Sequence, residues 1–294
     1  MESKKEIYDL IPKQYYPKTI KATIGTALQD VQTRLVNVAI QFPLIAKPDI
    51  GMRGMAVQKI DTEQELQHYV TTSAVDYLVQ EFIDLPNEIG IFFVRIPGEA
   101  KGKVTGIVAK EFLIVEGNGK STLLQLIEAN PRYHLQLPVL QKMYGDKLND
   151  VLSNGEKINL VPYGNHCRGS KFIDASHWAN KKINDVMNEV CLQIPQFYYG
   201  RLDLKYNTLE ELEQGKNFSI IELNGAGSEP THIYDPSHSL LFAWKEIARH
   251  FRYLYLTSKA NNKKGTKYLN WKEGIEMLRE NSLLTQKLKA FSAQ

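Results

Sequence analysis

Two short runs, GRLDLKY at 200–206 and FSIIELN at 218–224, hold the residues with the most chemistry to offer. Side chains two apart on a strand share a face, so Arg201 and Asp203 point one way, and Glu222 and Asn224 share a face of the second run. The turn-rich NTLEELEQGK between them lets the two strands pair antiparallel. One side of such a hairpin collects two carboxylates, an amide oxygen and a guanidinium. Oxygen ligands of this kind suit a hard cation such as Mg²⁺, which completes its shell with water and substrate phosphates. An exposed hairpin with an incidental ion pair would leave the same pattern. The NGAG turn directly after the second strand, which permits close backbone approach, weighs for the metal.

Further upstream, FPLIAKPDIGMRGMAV ends an apolar strand on Lys47 and follows it with Gly51 and Gly54. A lysine beside glycine amides can meet phosphate oxygens, although a plain hairpin with a surface lysine fits the same residues. YLVQEFI reads as a strand whose Val79, Phe82 and Ile83 offer an apolar slot, and Glu88 beyond it could hold paired ribose hydroxyls. EGNGKST imitates a phosphate-binding P-loop, but Ile114 stands where the first glycine is required. Capping of a helix by Ser121 explains that segment without a ligand, with Lys120 available to assist an anion. The histidines form no HExxH pair and no GxSxG elbow occurs, so zinc and that class of hydrolase are set aside.

The elements that must position these groups alternate. Helical spacing runs over 24–41, 62–73, 174–193, 237–259 and 271–292, and over STLLQLIEAN up to Pro131. Thr62 and Glu65 form a capping-box pattern. Between them lie strand signals at FPLIAK, YLVQEFI, EIGIFFVRIP, KVTGIVAKEFLIV and INLVPY, which together predict an α+β fold. The 294 residues carry a formal charge of +3 and only two cysteines, Cys167 and Cys191. That excludes a disulfide scaffold and a concentrated nucleic-acid stripe, since Lys263 and Lys264 read as a solvated linker. No apolar span or signal peptide is present, so a cytoplasmic protein with neither a membrane nor a nucleic-acid partner is expected.

In this order the motifs resemble the ATP-grasp superfamily over about residues 1–236. KP…GxxG resembles its small-lobe lysine and phosphate loop, and VQEFI…NE its adenine and ribose hinge. RLD…IIELN is similar to the metal signature of D-alanine–D-alanine ligases. VEGNGKSTLLQLIEANPR with NHCRGSKFID resembles cyanophycin synthetase-like amino-acid ligases. The resemblance implies a lead-in segment 1–20, a small lobe 21–83, a large lobe 84–236 with the metal site, and a helical segment 237–294, with ATP held between the lobes. It implies ATP with Mg²⁺ or Mn²⁺ as cofactors. Lys47, Gly51 and Gly54 would meet phosphates, Gln80, Phe82 and Ile83 would line the adenine pocket, and Glu88 would hold the ribose. Asp203, Glu222 and Asn224 would bind metal, Arg201 would stabilise the acyl-phosphate or tetrahedral species, and Asn165 and Gly169 would face substrate. Lys4 or Lys5 is expected as a second lysine for ATP. The activity implied is ligation of a small carboxylate, an amino acid or peptide, to an amine through an acyl phosphate. The alternatives are a phosphotransferase and a non-catalytic ATP-binding module.

Overall fold

Short β-branched and aromatic runs flanked by glycine, proline and aspartate give this chain its strands, and amphipathic stretches with polar caps give its helices. The computed structural model describes residues 2–51, 54–131, 133–161 and 170–293. In chain order the elements are α1 (Lys4–Leu10), β1 (Thr19–Ala22), α2 (Leu28–Asn37), β2 (Leu44–Pro48), β3 (Gln58–Ile60), α3 (Glu63–Thr72), β4 (Tyr77–Glu81), β5 (Asn87–Val94) and β6 (Lys103–Glu111). There follow β7 (Ile114–Glu116), α4 (Leu123–Glu128), α5 (Leu137–Tyr144), β8 (Lys157–Asn159), β9 (Lys171–Asp174), α6 (Lys181–Leu192), β10 (Tyr199–Tyr206), α7 (Leu209–Leu212), β11 (Phe218–Asn224), α8 (Leu240–Lys263) and α9 (Trp271–Ala293). The α+β content and the closing pair of helices match the sequence reading, with shorter bounds for most helices. The expected helix over 174–193 begins only at Lys181, because Asn180 caps it through its side chain. Strand β9, just before it, has no counterpart in the sequence reading.

The chain forms two compact units, one of residues 1–108 with 174–294 and one of residues 109–173. The first holds a four-stranded sheet ordered β1–β4–β2–β3 and a five-stranded sheet ordered β11–β10–β5–β6–β9, whose strands β6 and β9 lead into and out of the second unit. In the small sheet Tyr77 and Val79 of β4 point into a core with Leu35 of α2 and Leu66 and Tyr69 of α3. Alternation then sends Leu78 and Gln80 to the opposite face, together with Lys47, the register partner of Leu78. Val79 is therefore a core residue and lines no slot.

Helix α3 starts on Thr62, whose hydroxyl accepts from the Glu65 amide. The Glu65 carboxylate closes on the amide of Asp61 instead of Thr62, so half of the expected box is made. The last turns of α9 return to the small sheet, where Phe291 packs edge-on against Tyr69 with ring centres 5.6 Å apart. Helix α8 lies on the large sheet, its Tyr253 and Leu254 against Phe92, Val94 and Tyr199.

The second unit pairs β7 with β8 over a core that includes Leu123, Ile127, Leu140 and Leu160. Here the glycine turn is a local device. Asn118 Oδ1 accepts from the amides of Lys120 and Ser121, at 3.0 and 2.8 Å. The helix cap is Thr122 in a full capping box with Gln125, where the sequence pointed to Ser121. Those amides are spent on the turn and the cap, so the segment folds as a capped helix start without an anion. Among the described residues, no helix is long and apolar enough to cross a membrane.

Candidate functional site

Strands β10 and β11 pair antiparallel, with Arg201 opposite Asn224 and Asp203 opposite Glu222. Direct partners in an antiparallel ladder project to the same side, so all four side chains share one face, as their spacing predicts. On the other edge of β10, Lys205 pairs with Glu88, Asp203 with Gly90 and Arg201 with Phe92. Glu88 therefore belongs to the same face, two residues along its strand from Gly90, the register partner of Asp203.

Asp203 is buried and held tightly. Arg201 Nε and Nη2 donate to its two oxygens at 3.1 and 2.9 Å, and Asn224 Nδ2 donates to Oδ2 at 3.3 Å. The paired carboxylate holds the guanidinium pKa above its ordinary value although burial opposes this. Glu222 differs, since among the described residues it makes no hydrogen bond, while Lys4, Lys47, Tyr8 and Arg201 all feel its charge. A half-buried carboxylate with open lone pairs beside a second carboxylate and an amide fits a divalent cation. Among the described residues no three His, Cys, Asp or Glu side chains gather for a metal. The donor set is thus two carboxylates and one amide, which leaves most of an octahedron to water and phosphates. Rotation of the Asn224 amide about χ2 and withdrawal of Arg201 would turn Asn224 Oδ1 toward the carboxylates and free both oxygens of Asp203.

Glycine at position 90 is a requirement that the sequence reading missed. A Cβ there would stand 2.9 Å from Asp203 Oδ1, 2.9 Å from Val108 Cγ1 and 3.2 Å from Arg201 Cδ. An isolated glycine within the run EIGIFFV was the available signal, because such a residue marks close approach of another group. Gly90→Ala is expected to displace the Arg201–Asp203 pair and cost about 1–3 kcal/mol, the usual range for overpacking. Thermal unfolding measured beside nucleotide turnover checks this, and a variant with wild-type values in both would remove the steric role.

Lys47 crosses from the small sheet to this hairpin. Its Nζ donates to Tyr8 Oη at 2.7 Å, to Gln80 Oε1 at 2.8 Å and to the carbonyl of Ile221 at 3.4 Å. The Ile221 carbonyl is available because the β10–β11 register slips after Asp203, where Leu204 pairs with Ile220 and leaves Ile221 unmatched. Such a bulge turns its main-chain groups out of the ladder. The buried hydroxyl of Tyr8 donates to the same carbonyl. Burial lowers the Lys47 pKa to about 8, against the raising influence of Glu222.

The lead-in helix α1 completes this cluster. Asp49 accepts from Ser3 Oγ at 2.8 Å, from the Lys5 amide at 2.9 Å and from Lys21 Nζ at 2.7 Å. Lys4 Nζ donates to the Gly51 carbonyl at 2.8 Å, whereas Lys5 turns out to pair with Asp9. Of the two lysines in question, Lys4 is the one near Glu222 and Lys47, with its pKa lowered chiefly by burial. Gly54 sits at φ +66°, a left-handed conformation that favours glycine.

The remaining sites separate. Phe82 and Ile83 line a cavity of about 410 Å³ with Tyr16, Leu85, Phe218 and Ser219. Lys59 and Lys205 flank the Phe82 ring, 5.2 and 5.5 Å from its centre. Gln80 is not at that cavity, because its side chain is engaged by Lys47 and by Thr19 Oγ1 at 2.8 Å. Asn165 and Gly169 lie outside the described residues.

No family model matches the sequence, and no curated protein matches it either. Among solved structures the chain is similar to the D-Ala:D-Ser ligase VanG of Enterococcus faecalis, at 13% identity and TM-score 0.47, covering 86% of this chain and 61% of that one. It is similar to the D-alanine–D-alanine ligase of Bacillus anthracis at 13% identity and TM-score 0.47, covering 89% and 67%. It is also similar to the ATP-grasp ligase PsnB in complex with a minimal precursor, at 11% identity and TM-score 0.43, covering 84% and 60%. The chain spans about three fifths to two thirds of the length of these proteins.

Proposed function

We propose that this protein is an ATP-dependent carboxylate–amine ligase that works through an acyl phosphate. What supports the reading is a single arrangement, the convergence of Arg201, Asp203, Glu222 and Asn224 on one face, joined to Lys47 across the Ile221 bulge. A bound Mg²⁺ or Mn²⁺ would supply charge neutralisation to the nucleotide phosphates. Asp203, Glu222 and Asn224 would hold it. Lys47 would release Gln80 and Tyr8 to meet phosphate oxygens, with Lys4 beside it. The cavity around Phe82 and Ile83, which Glu81, Asp84 and Asn217 also line, would receive the adenine, and Glu88 would face the ribose.

In this scheme the carboxylate attacks the γ-phosphorus of ATP and ADP leaves. The amine then adds to the acyl carbon and phosphate departs, leaving an amide. Negative charge grows on oxygen in both steps, and Arg201, once parted from Asp203, can follow it. We take the substrates to be an amino acid or small peptide and an amine.

The test is ADP release over a panel of amino acids and dipeptides with ATP and Mg²⁺, followed by mass spectrometry. Amine-dependent ADP with a new amide is the expected result. A stable phosphoryl product would make the protein a phosphotransferase, and ATP binding without any turnover would make it a binding module.

A further inference from the structure

Helix α8 has two faces with different fates. The inner one carries the buried Glu246, His250 and Thr257 and rests on the large sheet. The outer one carries Leu241, Trp244, Ala248, Phe251 and Tyr255, at successive spacings of three and four residues. That is the seam of a coiled coil, one apolar residue for each half-heptad. Here it stands open, with Leu241 73%, Trp244 58%, Phe251 66% and Tyr255 59% exposed.

Along one border of the seam runs a second pattern of period seven, Lys245, Arg252 and Lys259, all exposed. Among the described residues none of the three makes an ion pair, and Lys259 does no more than lie over the Tyr255 ring at 5.7 Å. From Ser239 to Lys272 the sequence has eight Lys and Arg and one acid, Glu246, in a chain whose formal charge is +3 overall. That acid is buried against His232 and Arg249. The outward face of α8 thus presents positive charge alone.

We infer that α8 is a docking surface for an amphipathic helix of another protein, one with an apolar heptad seam bordered by carboxylates. The seam supplies the knobs and the basic row selects an acidic flank. A second copy of this chain fits less well, because an antiparallel match of the two seams would set the row Lys245, Arg252 and Lys259 against itself. A lipid surface takes a broad apolar face, and this one is a narrow stripe.

The test uses the full chain and two synthetic helical peptides of four heptads with leucine at the seam, one with Glu and one with Lys at both flanking positions. Fluorescence anisotropy should detect binding of the Glu peptide, weakening as salt rises. The triple variant K245E/R252E/K259E should lose at least about tenfold in affinity for it and take the Lys peptide instead. F251E should abolish binding while leaving the circular dichroism spectrum unchanged, since the residue is exposed. Equal binding of both peptides, or of neither, overturns the inference. So does a dimer in light scattering that F251E dissolves, which would make the occupant a second copy. Phosphatidylserine vesicles that displace the Glu peptide would assign the face to lipid and overturn it as well.

Discussion

Glu222→Gln is expected to lower ADP formation by at least about 10²–10³-fold with little change in stability. The carboxylate makes no hydrogen bond among the described residues, so an amide of the same shape leaves no partner stranded. Apart from the charge it presents to Lys4, Lys47 and Arg201, its loss would be felt when a cation and phosphates arrive. Asp203→Asn should match it in turnover and differ in stability. The half-buried Arg201 guanidinium has the buried Asp203 as its counter-charge, and breaking such a pair costs up to about 3–5 kcal/mol. The two variants together separate metal binding from packing. Calorimetric melts beside ADP assays make the comparison, and full turnover in Glu222→Gln would end the metal assignment.

Lys47 gives the second large effect. Lys47→Met should reduce kcat/KM for ATP by about 10²-fold, from loss of one preorganised phosphate contact in a dry site. In the wild type the same constant should decline with rising pH, because a lysine with a pKa of about 8 gives up its proton there. At saturating ATP the phosphates hold the proton in place, so kcat should move less. Stability runs the other way. The unfolded chain keeps the proton up to the ordinary lysine value of 10.5, so between pH 8 and 10.5 it binds more protons than the folded one. Stability from this group therefore rises with pH across that window. Melting temperatures of wild type and Lys47→Met over pH 7–10 report the difference. A flat difference would show that Lys47 is not held in the environment described.

Much of this site could be read from residue order, and the failures have identifiable causes. The period of two in RLD and ELN placed four polar groups on one face, because strand geometry fixes that alternation. Val79, read as part of an apolar slot with Phe82 and Ile83, lies in the core beneath α2 and α3, because an apolar run does not say which of its faces meets the helices. Gln80 was expected at the adenine, and Lys47, on the strand paired directly with its own, takes up its side-chain oxygen. Burying the Lys47 charge demands acceptors, and Tyr8, Gln80 and Ile221 are what the fold supplies. Tyr8 was invisible because α1 is short and its role depends on a partner more than two hundred positions away. The slip in register after Asp203 has no signature in FSIIELN, where no glycine or proline marks it.

That irregularity also limits what side-chain replacement can uncover. The link between Lys47 and the β10–β11 hairpin ends on a peptide oxygen, which every amino acid at position 221 provides. Scanning mutagenesis would pass over the position as silent, and sequence drift there would cost the contact nothing. A backbone ester introduced by semisynthesis after residue 221, which weakens that oxygen as an acceptor while sparing the side chain, is the kind of perturbation the contact would register.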